Sequence, residues 1–595
     1  MLAKSMFIQK ILSWTKSHAF VVLLGMSVAI LIASPNLRAY LLVGDENFKG
    51  VHVQFSDDEV TYQARIKEAA EGKLTIGNPY IKEHLNDPFI MPPIAEWIIA
   101  FFSWVTGTSI PFVTSVSDAV LGFVGFMLVY ILFHVLTRSV WVSLLYTLLF
   151  FFFSLATFGR PISPQFNAIF LFVGLIVTAK VYFNESLWGK KWNSILGLIV
   201  GVTCFISPYY FTALLGLYVL VFASRALFER SWEVLQKNVP WFLFGFMPLA
   251  CTYVFFQVRA SLDPSYAETV LRYGLMHTHI PGSFTNMFFG GIACGILLLC
   301  FKSLRQQTFV FAFGSIVTLF ALNWQNILTG KSLQFSSHYL FTSILLICMV
   351  LALIHTALIS NQMADMGRLR RFFVIGGIVF LVAIIGYNQK DEFIHLGNIP
   401  FTHEELLHEQ KKMGIFDWLN KHTAPDSVVY TLGDQYDFLL PVYTHNKVFY
   451  NFYAALYPAF DIETEERWII QRMFEGDMST SSIEAYQREY WGNKHIDIYQ
   501  SSENRKKIYS FITGTPYIPA PMIPPEKIEY MYNRWLDITA RPIEENLSRY
   551  EIDYILVSPE YPYYKQVVAQ LEEIKSVSFV TDIGGVRIYT YNNKK

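Results

Sequence analysis

Long apolar runs separated by short polar joints recur along the chain as far as Tyr387, and then the pattern stops. The first run is Ala19 to Ala33, and apolar character resumes after Pro35 through Tyr40, Leu41, Leu42 and Val43. Others follow at Pro111 to Leu136, Trp141 to Phe158, Phe166 to Phe183, Ile195 to Ile206, Tyr209 to Ala223 and Val239 to Phe256. The last four are Phe284 to Phe301, Phe309 to Trp324, Tyr339 to Leu358 and Phe372 to Tyr387. A bilayer core takes roughly 20 helical residues, so the pattern predicts about eleven transmembrane helices. Lys4, Lys10 and Lys16 precede the first run and no small-residue cleavage site follows it, which predicts an uncleaved span with its N-terminus inside. Pro92 to Val105 is apolar but too short to span. It is expected as a helix in the outer interface, anchored by Trp97 and Trp104.

Charge tests this topology. The predicted inside loops hold Arg138, Lys190, Lys191, Arg225, Arg230, Lys237, Lys302, Arg305, Arg368, Arg370 and Arg371. The short outside loops hold mainly Arg160, Arg259, Arg272 and Lys331. This positive-inside asymmetry puts both the polar loop 44–110 and the C-terminal part outside the cytoplasm, in a multi-pass plasma-membrane protein of prokaryotic type. The chain thus divides into a membrane domain, 1–388, and an extracytoplasmic domain, 389–595, of about 200 residues, enough for a core of its own. In the latter, Lys411 to His422 reads as a helix, and Ser427 to Leu432, Lys447 to Phe452, Ile552 to Val557 and Gly585 to Tyr591 read as strands, an α/β pattern. Its many tyrosines suit an aromatic core and a face resting on the membrane, or sugar contacts.

Composition narrows the function. With 53% hydrophobic and only 16% charged residues, the 595-residue chain is an integral membrane protein. A net charge of -1 leaves no basic excess for nucleic acid. The five cysteines lie in apolar runs with no CxxC pair, which argues against a disulfide framework or a zinc site. No Gly-rich phosphate loop, Ser-His-Asp arrangement or intramembrane carboxylate relay is evident, against a nucleotide-driven pump, a serine hydrolase or a proton-coupled transporter.

The candidate chemistry centres on Ser56-Asp57-Asp58-Glu59-Val60-Thr61-Tyr62, at the head of a helix-like segment, Asp57 to Glu71, closed by Gly72. Ser56 and Glu59 have capping-box spacing, and acids in a first helical turn favour the helix dipole, a complete structural explanation. The functional reading makes Asp58 a general base toward an acceptor hydroxyl, with Asp57 as helper. Helical spacing places Tyr62 and Arg65 on the same face as Asp58.

Asp58-Glu59-x-x-Tyr62, Arg65, Glu71-Gly72, Asn78-Pro79-Tyr80, Pro92-Pro93-x-x-x-Trp97 and Gly107 together resemble the first external loop of GT-C superfamily glycosyltransferases, such as protein O-mannosyltransferases and the lipid A aminoarabinose transferase. The resemblance covers mainly residues 45 to 160, together with the plan of about eleven spans and an external C-terminal domain. It implies an inverting transferase that moves a sugar from a polyprenyl-phosphate donor to a glycan, lipid or protein acceptor, with the loop aspartate near the reaction centre. Two positions depart from the family. Met91 stands where relatives often have a lysine before the Pro-Pro pair. The second external loop, Gly159-Arg160-Pro161-Ile162-Ser163-Pro164-Gln165, lacks the acid that relatives often carry there.

Other cations are therefore expected at the leaving phosphate. A guanidinium fork suits phosphate oxygens, which makes Arg160 the first candidate, although an arginine at the outer end of a span also serves as an interfacial anchor. Lys331, Gln334 and His338, before the tenth span, are candidates for phosphate, sugar or acceptor; His338 is equally placed to be a helix cap. Glu59, Tyr62, Arg65 and Gln165 complete the substrate-binding candidates. His277 and His279 form a possible His-x-His metal pair, and Asp57 with Asp58 offers hard oxygen ligands for Mg or Mn. Two alternatives stand beside the transferase: a transporter or flippase of lipid-linked saccharides, and a catalytically silent protein of the same architecture.

Overall fold

The computed structural model describes residues 18–54, 58–89, 91–282, 284–332, 338–360, 362, 366–390, 401–433 and 435–592. Every apolar run of the sequence is a helix. Among the described residues eight helices are long and apolar enough to cross a membrane: Ala19–Val43, Ile110–Thr137, Pro161–Phe183, Pro208–Glu229, Glu233–Ser261, Gln306–Trp324, His338–Ile359 and Arg368–Asn388. The other three expected spans are the helices Val140–Phe158, Lys190–Cys204 and Phe284–Leu299, of which the last two have only 15 and 16 residues. The Pro-Pro stretch leads into Ile94–Thr106, a two-faced helix. Ala95, Ile99 and Ala100 point inward and Phe101, Phe102, Trp104 and Val105 outward, ending at Gly107 in the left-handed region.

Small residues let the helices approach. A Cβ on Gly197 would stand 2.1 Å from the carbonyl of Phe242, and one on Gly245 2.1 Å from that of Ser194. The helices Lys190–Cys204 and Glu233–Ser261 therefore meet backbone to backbone. Asn193 Nδ2 donates to Asn238 Oδ1 across the same contact at 2.7 Å, and Asn238 Nδ2 donates to Val234 O at 2.7 Å, so a buried amide pair links the two helices inside the apolar interface.

Beyond the helices lies a five-stranded sheet in the order Lys447–Val448 (β4), Val428–Leu432 (β3), Tyr554–Val557 (β5), Val586–Tyr591 (β7), Val577–Ile583 (β6). The first three pair in parallel and the last two antiparallel, with Tyr430 opposite Ile555 and Ile555 opposite Tyr589. A separate two-stranded ribbon, β1 (Met276–His277) with β2 (Lys331–Ser332), joins two interhelical loops.

The loop after the first helix is built into this domain. Val51, Val60, Ala64, Tyr80 and Ile81 share one buried cluster with Phe416, Val429, Phe449 and Leu556. Gln410 clamps the loop like an extra strand: its Oε1 accepts from Lys49 N (2.9 Å) and Val51 N (3.2 Å), and its Nε2 donates to Val51 O (2.7 Å). Lys447 of β4 forms a fully buried ion pair with Glu68 of the helix Glu59–Ala70. A second loop is tied down by Arg272, buried completely, which donates to the carbonyls of Ala455 and Tyr457 (2.7 and 3.2 Å) and to that of Ala459, and pairs with Asp461. The chain before and after Asp58 is thus held to the C-terminal domain, by Gln410 at Lys49 and Val51 and by Lys447 at Glu68.

Candidate active site

The helix Glu59–Ala70 buries Val60, Ala64 and Ile66 and closes at Gly72, whose φ of +88° suits glycine. Asp58 occupies its N-cap position with no side-chain bond to a helix amide. The capping box expected of Ser56 and Glu59 requires Glu59 in the third helical position, whereas here it is the first. Freed from capping, the Asp58 carboxylate forms an ion pair with Arg160. Ser56, Asp57 and Gln334 lie outside the described residues.

Arg160 is presented by a tight turn, Pro161–Phe166, inside which Ser163 is extended. The turn closes on itself where Gln165 N donates to Arg160 O (3.2 Å). Gln165 is fully buried and both ends of its amide are used: Nε2 donates to Asp118 Oδ1 (2.9 Å) and Oε1 accepts from Ser117 Oγ (3.1 Å). Such a position braces the Arg160 turn rather than reaching a sugar. Asp118 escaped the reading of the sequence because it is diluted inside an apolar run. Glu59 is likewise buried, accepting from Gln63 Nε2 at 3.3 Å, while the same Nε2 donates to Thr114 Oγ1 at 3.1 Å.

Beside the ion pair opens a cavity of about 180 Å³. Arg160, Thr157, Tyr210, His338, Phe341 and Gln389 are among its walls. They come from the end of Val140–Phe158, the starts of Pro208–Glu229 and His338–Ile359, and the residue after Arg368–Asn388. All these ends meet on one side of the bundle, the side that carries the C-terminal domain. The His338 ring stacks on Tyr209, with centroids 4.6 Å apart and planes 7° from parallel.

Tyrosines surround the charged pair. Tyr62 lies within the fields of Asp58, Arg160 and Tyr273, and burial followed by the Asp58 charge pushes its phenol well up. Tyr273, also buried, is pushed up to about 12 and feels Arg65, Asp58, Glu96 and Arg160. Burial opposes the Arg160 charge, but Tyr62 and Asp58 more than offset it and hold the guanidinium above its ordinary value. Tyr209, Tyr210 and Tyr273 carry no motif in the sequence. The adjacent pair Tyr209-Tyr210 directly after Pro208, at the start of a span, was the available signal.

Arg65 is buried and committed: Nε donates to Glu96 Oε1 (2.6 Å) and Nη2 to Met91 O (3.2 Å). It is therefore the cation nearest the place where the resemblance expects a lysine. Lys331 is exposed on the ribbon, opposite His277. The His277 ring lies with Nδ1 3.8 Å from Asp497 Oδ2, whereas His279 Nδ1 meets Ile327 O (3.0 Å), so the two imidazoles look to different partners. Among the described residues no three His, Cys, Asp or Glu side chains gather at one point. The partner of Asp58 is a guanidinium, not a second carboxylate. Asp57, the other carboxylate expected to hold Mg or Mn, lies outside the described residues, and no step is derived through a cation.

No family model and no curated protein matches the sequence. Among solved structures the chain is similar to ArnT from Cupriavidus metallidurans bound to undecaprenyl phosphate. The match has 12% identity and a TM-score of 0.44, over 97% of this chain and 98% of that one. It is also similar to the arabinofuranosyltransferase AftD from mycobacteria, with 10% identity and a TM-score of 0.45, over 97% of this chain and 40% of AftD.

Proposed function

We propose that the chain is a GT-C type glycosyltransferase that moves a sugar from a polyprenyl-phosphate donor to an acceptor hydroxyl, with inversion at the anomeric carbon. The observation that carries this reading is the Asp58–Arg160 pair, whose guanidinium lines a cavity together with Tyr210 and His338. Its two members are the groups such a reaction needs. Asp58 takes the proton of the acceptor hydroxyl as the acceptor oxygen bonds to the anomeric carbon. The bond from that carbon to the phosphate oxygen breaks, and the phosphate leaves with the electron pair onto Arg160. An arriving phosphate competes with Asp58 for the guanidinium, so donor binding releases the carboxylate at the moment it must act as base. The tyrosine rings offer flat apolar faces and hydroxyls to the sugar. The clustering of polar groups at helix ends, rather than at midplane breaks, favours transfer over transport.

The test is transfer from a panel of polyprenyl-phosphate sugars by purified protein, wild type against Asp58→Asn. Transfer by wild type and its loss in a folded Asp58→Asn protein are expected. Full transfer by the variant would remove Asp58 as base, and no transfer from any donor would overturn the reaction class.

A further inference from the structure

One surface of the C-terminal domain is apolar, exposed and unrelated to the cavity. The helix Lys494–Thr513 ends at Gly514, φ +68°, and the chain then turns back through Thr515, Pro516, Tyr517 and Ile518. Around this turn Tyr509, Phe511, Ile512 and Ile518 are 63%, 91%, 73% and 69% exposed. Bulky apolar groups this exposed on a folded domain mark an interaction surface. Immediately before them stand Arg505, Lys506 and Lys507, and no acidic residue occurs from Arg505 to Pro519.

The tip is a built structure. Lys506 Nζ donates to Pro519 O (3.2 Å), Glu503 accepts from Ala520 N (2.6 Å) and from Tyr517 Oη, and Lys507 Nζ lies 5.7 Å from the Tyr517 ring centroid. These contacts fold the return segment onto the helix and leave Phe511 and Ile512 pointing away from it. At its other end the helix is anchored to the interhelical ribbon through Asp497, which accepts from His277 N. From Asp497 to Phe511 the helix runs about 21 Å at 1.5 Å per residue, a stiff arm rooted where the membrane helices emerge.

We propose that this tip inserts Phe511, Ile512 and Ile518 into an anionic lipid surface, that of the membrane the chain's own helices span. Three successive cations, of which Lys507 is paired with Glu503 at 3.5 Å, stand beside aromatic and aliphatic groups and match such a surface in both charge and polarity. A protein partner would need no such run of cations next to the apolar groups.

The full-length protein, reconstituted in nanodiscs of phosphatidylglycerol and phosphatidylcholine, tests this. A spin label at Phe511→Cys is read against oxygen and a water-soluble nickel chelate in a Cys251→Ser background, since Cys251 is the exposed native cysteine. Ile518→Cys serves as an independent second site and Lys575→Cys as the solvent reference. Labels at 511 and 518 are expected to be open to oxygen and shielded from nickel, with the opposite result at 575. Replacing Lys506 and Lys507 by Glu is expected to expose the 511 label to nickel. Nickel access at 511 and 518 equal to that at 575 would overturn the proposal. Shielding from both reagents would overturn it too, by indicating a protein contact, and an unchanged depth in the double Glu variant would remove the anionic-lipid assignment.

Discussion

Asp58 and Arg160 stand 102 positions apart in sequence and close an ion pair beside the cavity that holds His338. Each member therefore tunes the other, and single substitutions should not add. Asp58→Asn and Arg160→Ala are each expected to lower the transfer rate by roughly 10²- to 10⁴-fold, the usual worth of a positioned base or a charge-stabilising cation. The double variant should fall little further, because each single change already breaks the exchange of Arg160 between carboxylate and phosphate. Rates from a double-mutant cycle check this; strict additivity would mean that the two act independently.

Gln165 makes a second, subtler prediction. It links Asp118 to the turn that carries Arg160, without itself facing the cavity. Gln165→Leu should lower kcat while leaving the protein folded, since it frees the turn and leaves Asp118 buried without this donor. Asp118→Asn keeps an acceptor oxygen for Gln165 and should retain far more activity than Asp118→Leu. Equal activity of the two Asp118 variants would mean that the bridge does not position Arg160.

The sequence made the helices legible because hydrocarbon demands both length and apolarity, and each run from Ala19 to Tyr387 carried that signature. Strand β6 was missed although Val577, Phe579 and Val580 precede the Gly584-Gly585 turn. Those glycines have φ of +62° and +91°, the hairpin signal that pairs β6 with β7. In the candidate site, Asp58, Tyr62, Arg160 and His338 were named from chemistry and position. Tyr273 was not, because its relevance comes from packing against Tyr62 and Arg160 on distant segments, and Asp118 was not, because it is diluted inside an apolar run. The burial of the loop 44–110 in the C-terminal domain was invisible for the same reason: Val60 and Ala64 read as one face of a short helix, and nothing local says what covers it.

The Glu68–Lys447 pair gives that packing an energetic test. Both side chains are essentially inaccessible. Burial raises the Glu68 pKa, and the Lys447 charge and hydrogen bond work against it. Lys447→Met would strand a buried carboxylate, and should destabilise the domain by about 3–5 kcal/mol. The double replacement Glu68→Leu with Lys447→Met should recover most of that loss. Denaturant unfolding of the purified variants measures both values.

His84 supplies a pH-dependent fastening of the same loop. Its Nδ1 lies 2.6 Å from Asp87 Oδ2 and its Nε2 2.8 Å from Glu463 Oε2, so the ring donates to both carboxylates only as the imidazolium. Burial lowers the His84 pKa, but the two hydrogen bonds and charges outweigh it and raise the value from 6.5 to about 9. Glu463 moves the other way: burial raises it, and His84 and Arg467 bring it from 4.5 down to about 2. A raised histidine stabilises fully below its unfolded value and loses that contribution as pH climbs through the folded one. A lowered glutamate stabilises above its unfolded value and loses its share as pH falls toward the folded one. Both contributions are therefore complete between pH 4.5 and 6.5. His84→Gln should lower the unfolding temperature most at pH 6, and the gap to wild type should shrink through pH 9 as wild type itself loses the proton. Melting curves at pH 6, 8 and 10 measure the gap, and a difference that stays constant across them would show that His84 contributes shape rather than charge.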